Sequence, residues 1–248
     1  MQNDKTHFGY QTVDIKEKAN KVKAVFDSVS GRYDLMNDLM SAGLHRLWKR
    51  HFVASMRLSK GHSMLDVAGG TGDISRLAYP QLGATGQLIL TDINFAMLEQ
   101  GKIRLLDEGI CSNLSIAQAD AQCLPFNNAT FDRITIAFGL RNVTDKAAAL
   151  KEFYRVLKPA GRLGILEFSH PTNATFEKVY DAYSFNVIPK VGGLVTGDKD
   201  SYQYLVESIR KHPDQATLQQ MILDAGFEHA QHQNLTGGIV AIHQGIKL

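Results

Sequence analysis

An apolar strand end that breaks into glycines and reopens as a helix leaves a chain few folds to choose from. Here Met64 to Ala68 is the strand end, Gly69-Gly70-Thr71-Gly72 is the break, and a helical pattern starts at Asp73. Glycines at such a turn open positive φ and let backbone N–H groups approach a ligand, so Gly69 and its neighbours are candidate contacts. A second apolar run, Leu88 to Leu90, leads to Asp92, about 20 residues beyond the turn, where a carboxylate can take a ribose hydroxyl. The combination describes a nucleoside-binding α/β domain.

The turn argues against a dinucleotide. The pyrophosphate fingerprint is G-x-G-x-x-G with a helix N-terminus aimed at the phosphates, and this chain offers Gly70-x-Gly72-x-x-Ser75. Asp73 stands between the last glycine and the helix, where it would repel a pyrophosphate but tolerate an ammonium group. S-adenosylmethionine (SAM), with an adenosine, an ammonium, a carboxylate and a sulfonium, satisfies that constraint. A nicotinamide reductase is disfavoured on the same grounds.

Strand-like runs near 63–68, 87–92, 113–117, 131–138 and 161–168 alternate with helical ones near 73–80, 95–108 and 145–157. This rhythm predicts a parallel sheet with helices on both faces. A last helix from about Pro213 to Ala225 and two closing strands, 227–233 and 236–245, complete the pattern. Residues 1 to 23 are polar and read as loose. In the helix from 44 to 56, Leu44, Leu47, Trp48, Phe52 and Met56 share a face opposite His45, Arg46, Lys49 and Arg50. That basic face reads either as solvated or as a shallow contact with anionic lipid beside Trp48.

With 248 residues, no internal repeat and no low-complexity linker, the chain reads as one domain: a helical cap (1–57), a cofactor-binding core (58–168), a segment breaking the alternation (170–212) and a closing helix with strands (213–248). Lys+Arg of 27 against Asp+Glu of 25 is too balanced for nucleic acid as the main partner. Cys111 and Cys123 match no metal spacing, and His229 with His232 has no third ligand, so no metal is expected. A polar Met1–Tyr10, and the lack of any apolar run of membrane-spanning length, point to a cytoplasmic protein.

The 170–212 segment carries Tyr180, Tyr183, Phe185, Val187, Ile188 and Val191 among Gly192, Gly193 and Gly197. It reads as a core helix with a loop, or as an apolar lid hinged on glycines over a greasy substrate. Asp120 closes the third strand region, either capping a turn or accepting from an adenine amine. After the fourth strand, Arg141 is a cation able to stabilise a phenolate, or a surface ion-pair partner; Asn142 positions substrate or caps the helix near Asp145. Tyr154 and Lys158 share the spacing of a reductase acid/base pair but run into Pro159, where Tyr154 packs instead.

Several blocks together resemble the ubiquinone/menaquinone biosynthesis C-methyltransferases. They are Val25-Phe26-Asp27-Ser28-Val29-Ser30-Gly31-Arg32-Tyr33-Asp34-Leu35-Met36-Asn37-Asp38 with Gly43-Leu44-His45-Arg46-Leu47-Trp48-Lys49, then Ile136 to Val143, Arg155 to Pro159, Leu166 to Ser169, and Asp181 to Phe185. The resemblance spans nearly the whole chain. It implies the class I SAM-dependent methyltransferase fold, Rossmann-like, with a seven-stranded, mostly parallel sheet whose last strand is antiparallel. It implies methyl transfer from SAM to a ring carbon of a prenylated quinol, with demethylmenaquinol and 2-methoxy-6-polyprenyl-1,4-benzoquinol as substrate types. Thr71, Asp92, Asp120 and Ala121 would contact SAM. Family members often have serine where this chain has Ala137, which leaves Ala137 a backbone contact. For such a reaction the expectation drawn from the residues is that Arg141 stabilises the phenolate and Asn142 positions the ring, with the proton lost through water or an unassigned base. The isoprenoid tail would lie under the 180–197 segment, partly in the membrane. Transient contact with other quinone-biosynthesis enzymes and a homodimer are compatible with this reading. A methyltransferase for another phenolic or amine metabolite, and a non-catalytic SAM-binding module, are the alternatives.

Overall fold

The computed structural model describes residues 5–29, 38, 41, 43–186, 189, 190, 193 and 199–248. A hairpin, β1 (Lys5–Phe8) and β2 (Gln11–Asp14), leads into α1 (Ile15–Val29), and α2 (His45–Ser55) precedes the sheet. The sheet is then laid down in alternation: β3 (Ser63–Val67), α3 (Asp73–Leu82), β4 (Gln87–Asp92), α4 (Phe95–Asp107), β5 (Leu114–Gln118), β6 (Phe131–Ala137), α5 (Lys146–Val156) and β7 (Leu157–Phe168). Helices α6 (Ala174–Asn186), α7 (Lys199–Lys211) and α8 (Gln215–Asp224) precede the closing hairpin β8 (His229–Leu235) and β9 (Val240–Ile246).

The seven strands order as β5-β4-β3-β6-β7-β9-β8. All neighbouring pairs from β5 to β7 are parallel, and β9 runs antiparallel to both β7 and β8. The expected sheet, with its last strand reversed, is therefore observed. Its central strands are buried on both faces because their side chains alternate between two cores. Met64 joins Phe52, Met56, Ile74 and Ala78 on one face, while Leu65 and Val67 join Leu150, Phe153 and Ile222 on the other. Strand order reverses between β3 and β6, which opens a crevice at their carboxyl ends.

Four local expectations are corrected. Residues 5–23 are not loose: the hairpin docks on α7, with Phe8 stacked on Tyr204 at 4.2 Å and the Tyr10 N–H donating to Glu207 at 2.9 Å. Helix α3 passes through Pro80 to Leu82, two residues beyond the sequence estimate. The sequence reads Lys158-Pro159-Ala160-Gly161 as the turn that ends the helix, but β7 starts directly at Leu157 and absorbs the proline with a register irregularity opposite Phe131–Arg133.

The fourth concerns α2. Trp48, Phe52 and Met56 are inside as expected, but Leu44 and Leu47 are 38% and 59% exposed while His45 and Lys49 are buried. Ion partners explain the inversion, since buried polar groups persist where they are paired. His45 Nε2 lies 2.8 Å from Asp38, and Lys49 Nζ 2.5 Å from Asp73. The Trp48 indole donates to Thr236 at 2.9 Å, so neither Trp48 nor Lys49 is presented to a lipid surface. Among the described residues, no helix is long and apolar enough to cross a membrane.

Candidate active site

The turn after β3 is shaped by close contacts. Gly70 and Gly72 adopt φ of +54° and +81°. A Cβ on Gly69 would lie 2.2 Å from Leu90 Cδ1 and 2.9 Å from Asp66 Oδ2. Asp66 braces the turn from beneath, accepting from the Ser75 N–H (3.0 Å), the Ser75 hydroxyl (2.8 Å) and the Thr135 hydroxyl (2.9 Å). Burial nevertheless pushes its carboxyl up to about 6. The turn after β6 meets the first one: a Cβ on Gly139 would stand 2.7 Å from that of Ala68. Ala68 and Phe138 both have positive φ, 49° and 55°, a strained state for side-chain-bearing residues that tertiary packing must hold. The sequence carries no mark of either.

Asp92 faces the first turn. Its carboxylate accepts from the Gly70 N–H at 3.0 Å and the Asn94 N–H at 2.8 Å. Burial raises it to about 6 in spite of these bonds. Ionised, it keeps lone pairs for further donors. Asp120 accepts from the Gln122 N–H at 2.9 Å, which fixes the corner after β5.

These turns enclose a cavity of about 300 Å³. Gly69, Thr71, Asp92, Asp120, Ala121 and Ala137 all line it, as does Asn142. Four carboxylates (Asp66, Asp73, Asp92, Asp120) face two ammonium groups (Lys23, Lys49) there. An acidic lining of this kind rejects a pyrophosphate and accepts an adenosine bearing positive charge. SAM fits that donor set.

The model of the ubiE/COQ5 methyltransferase family matches residues 13–247. The chain belongs to this family. Relatives named Ubiquinone/menaquinone biosynthesis C-methyltransferase UbiE include those of Cellvibrio japonicus (58% identical, 98% of this chain and 97% of that one) and Pseudoalteromonas translucida (56%, 98% and 96%). The fold is that of a SAM-dependent methyltransferase. A structure of one from Aquifex aeolicus aligns with a TM-score of 0.64 at 15% identity, covering 87% of this chain and 98% of that one.

Of the two roles the sequence offers Arg141, the structure shows the ion pair, buried and not on the surface. Its side chain is buried, is absent from the cavity lining, and pairs with Glu167 at 2.8 Å while donating to the Phe138 carbonyl. The structure does not bring the guanidinium to the cavity, because a buried cation is retained where an acid neutralises it. Asn142 does reach the cavity. It does not cap α5, whose N-terminus is capped by Asp145 accepting from the Ala148 N–H at 2.9 Å. Its side-chain oxygen accepts from the Tyr204 hydroxyl at 3.0 Å. Burial pushes the Tyr204 phenol up to about 12, so it remains a donor at any working pH.

Sequence reasoning missed Tyr204 and Glu167. Glu167 was detectable as a lone acid in the apolar run Leu163–Phe168; Tyr204 lies 62 positions from its partner and left no local signal. Lys158 pairs with Asp132 at 2.8 Å and the Tyr154 hydroxyl meets Glu228 at 3.1 Å, so both members of the reductase-like pair have structural partners. Of the lid residues, Val187, Ile188, Val191, Gly192 and Gly197 lie outside the described residues.

Proposed function

We propose that this protein methylates a ring carbon of a prenylated quinol, with demethylmenaquinol and 2-methoxy-6-polyprenyl-1,4-benzoquinol as the substrate types. The observation that carries this reading is likeness to UbiE relatives over 98% of the chain; the acidic, nucleoside-shaped cavity agrees with it. SAM supplies an electrophilic methyl group. Gly69, Thr71, Asp92, Asp120, Ala121 and the backbone of Ala137 hold it.

Carbon becomes a nucleophile when the quinol loses a phenolic proton and charge moves onto the adjacent ring carbon; an oxidised quinone has no such route. Asn142 is the side chain placed to receive that oxygen. With its oxygen taken by Tyr204, its amide hydrogens have no acceptor among the described residues and can donate to a phenolate. Arg141 acts one step back: paired to Glu167, it sets the turn that presents Asn142. As the ring carbon takes the methyl group, the sulfur–methyl bond breaks and S-adenosylhomocysteine leaves; the carbon then sheds its hydrogen as a proton and the ring oxygen regains one, so a single proton is released in all, through water or an unassigned base.

The test is methyl transfer from labelled SAM to a short-chain demethylmenaquinone, with and without dithionite. Label on the ring only in the reduced sample is expected; label in the oxidised sample, or none in either with SAM bound, refutes the reading.

A further inference from the structure

Lys49 is 7% exposed at its side chain and yet lines the cavity. Its ammonium meets Asp73 Oδ2 at 2.5 Å and stands 6.0 Å from the centre of the Phe138 ring. Asp73 follows the β3 turn and Phe138 follows β6, whereas Asp92 and Asp120 lie at the ends of β4 and β5. The order β5-β4-β3-β6 sets these positions in a row along the sheet edge. A nucleoside whose base and ribose sit at Asp120 and Asp92 has its 5′ substituent at the β3–β6 end, beside Lys49.

In SAM that substituent carries the molecule's one anion, the methionine carboxylate. A carboxylate entering a lining with Asp66, Asp73, Asp92 and Asp120 needs a cation. Lys23, on α1, is exposed; Lys49 is the buried cation at the correct end. Asp73 can release it. Its other oxygen meets Arg104 at 2.9 Å, so the acid keeps a partner when the lysine turns away.

We infer that Lys49 binds the methionine carboxylate of SAM, with Arg104 holding Asp73 meanwhile. The inference rests on the reading of SAM as the cofactor and adds to it the residue that reads the amino-acid end. It also makes α2, outside the sheet core, part of the cofactor site.

The test is calorimetric titration of the full-length protein and of Lys49→Met with SAM, decarboxylated SAM and methylthioadenosine, without methyl acceptor. Charge-assisted bonds of this kind carry roughly 10- to 100-fold in affinity. The wild type should prefer SAM to decarboxylated SAM by that factor. Lys49→Met should lose that preference and bind decarboxylated SAM and methylthioadenosine as the wild type does. Equal weakening of all three ligands in Lys49→Met overturns the inference, since it signals a distorted cavity and no carboxylate contact. So does a wild type that binds SAM and decarboxylated SAM equally, a comparison needing no variant. A wild type that binds none of the three removes the SAM reading itself, and the inference with it.

Discussion

Glu167 grips Arg141 at two points: one carboxylate oxygen accepts from the guanidinium at 2.8 Å and the other from the Arg141 backbone N–H at 3.1 Å. The two side chains are 3% and 1% exposed. The end of β7 is thereby tied to the turn that carries Asn142. Glu167→Ala strands a buried cation and should cost about 3–5 kcal/mol in urea unfolding. The pair Arg141→Met with Glu167→Leu should recover most of that loss. Arg141→Ala should lower turnover far more than SAM affinity, because the turn that it supports carries Asn142, the residue proposed to meet the acceptor. Unchanged turnover would remove Arg141 from the mechanism.

The Tyr204–Asn142 bond is the second lever. Tyr204→Phe keeps the ring, with its stacking on Phe8, and deletes only the hydroxyl. The stability loss should be modest, about 1 kcal/mol. The amide of Asn142 can then turn over, so kcat should fall while the Kd for SAM stays put. A Tyr204→Phe enzyme with wild-type kcat would show that the amide needs no orienting partner.

The sheet and the cofactor turns were legible in the sequence for a simple reason. β3, β4 and β6 are buried on both faces, so they must be apolar runs, and the turns after them work through backbone and spacing. What depends on distant partners was not. Lys49 lies on a helical face that any periodicity argument assigns to solvent, and only Asp73, 24 positions away, makes its burial affordable. The first hairpin has no internal reason to be ordered, since its docking contacts are on α7. Arg141 was recognised as a cation near the site, but its direction is set by Glu167 on another strand.

Gly101, on α4, was also invisible to sequence reasoning. A Cβ there would lie 2.6 Å from the Gly70 carbonyl oxygen, which is backbone and cannot step aside. Gly101→Ala should therefore push α4 off the turn, costing about 1–3 kcal/mol and weakening SAM binding. Gly109, where a Cβ meets nothing within 4 Å but φ is +77°, is the control: its alanine variant should lose stability through backbone strain alone and keep its SAM affinity. Thermal unfolding with and without SAM separates the two.

Asp92 gives cofactor binding a pH dependence whose sign is opposite to that of its effect on folding. Its folded pKa, about 6, lies above the 3.8 of an ordinary aspartate, so the folded free protein holds the proton more tightly than the unfolded chain. The stabilisation from that proton is complete below 3.8 and is lost as pH rises through about 6. Binding runs the other way, because the ionised carboxylate is the better acceptor for ribose hydroxyls. SAM affinity should hold above pH 6.5 and then fall by up to roughly tenfold per unit below about 6. Acid stability alone cannot reveal this, since His243, held near 4 by burial, destabilises the fold as pH falls from 6.5. Calorimetric Kd values between pH 5 and 7.5 can. Asp92→Asn should bind SAM more weakly at pH 7.5 and show a flattened profile. A profile as steep as that of the wild type would move the titration to Asp66, which is also raised to about 6 but is fully engaged by Ser75 and Thr135.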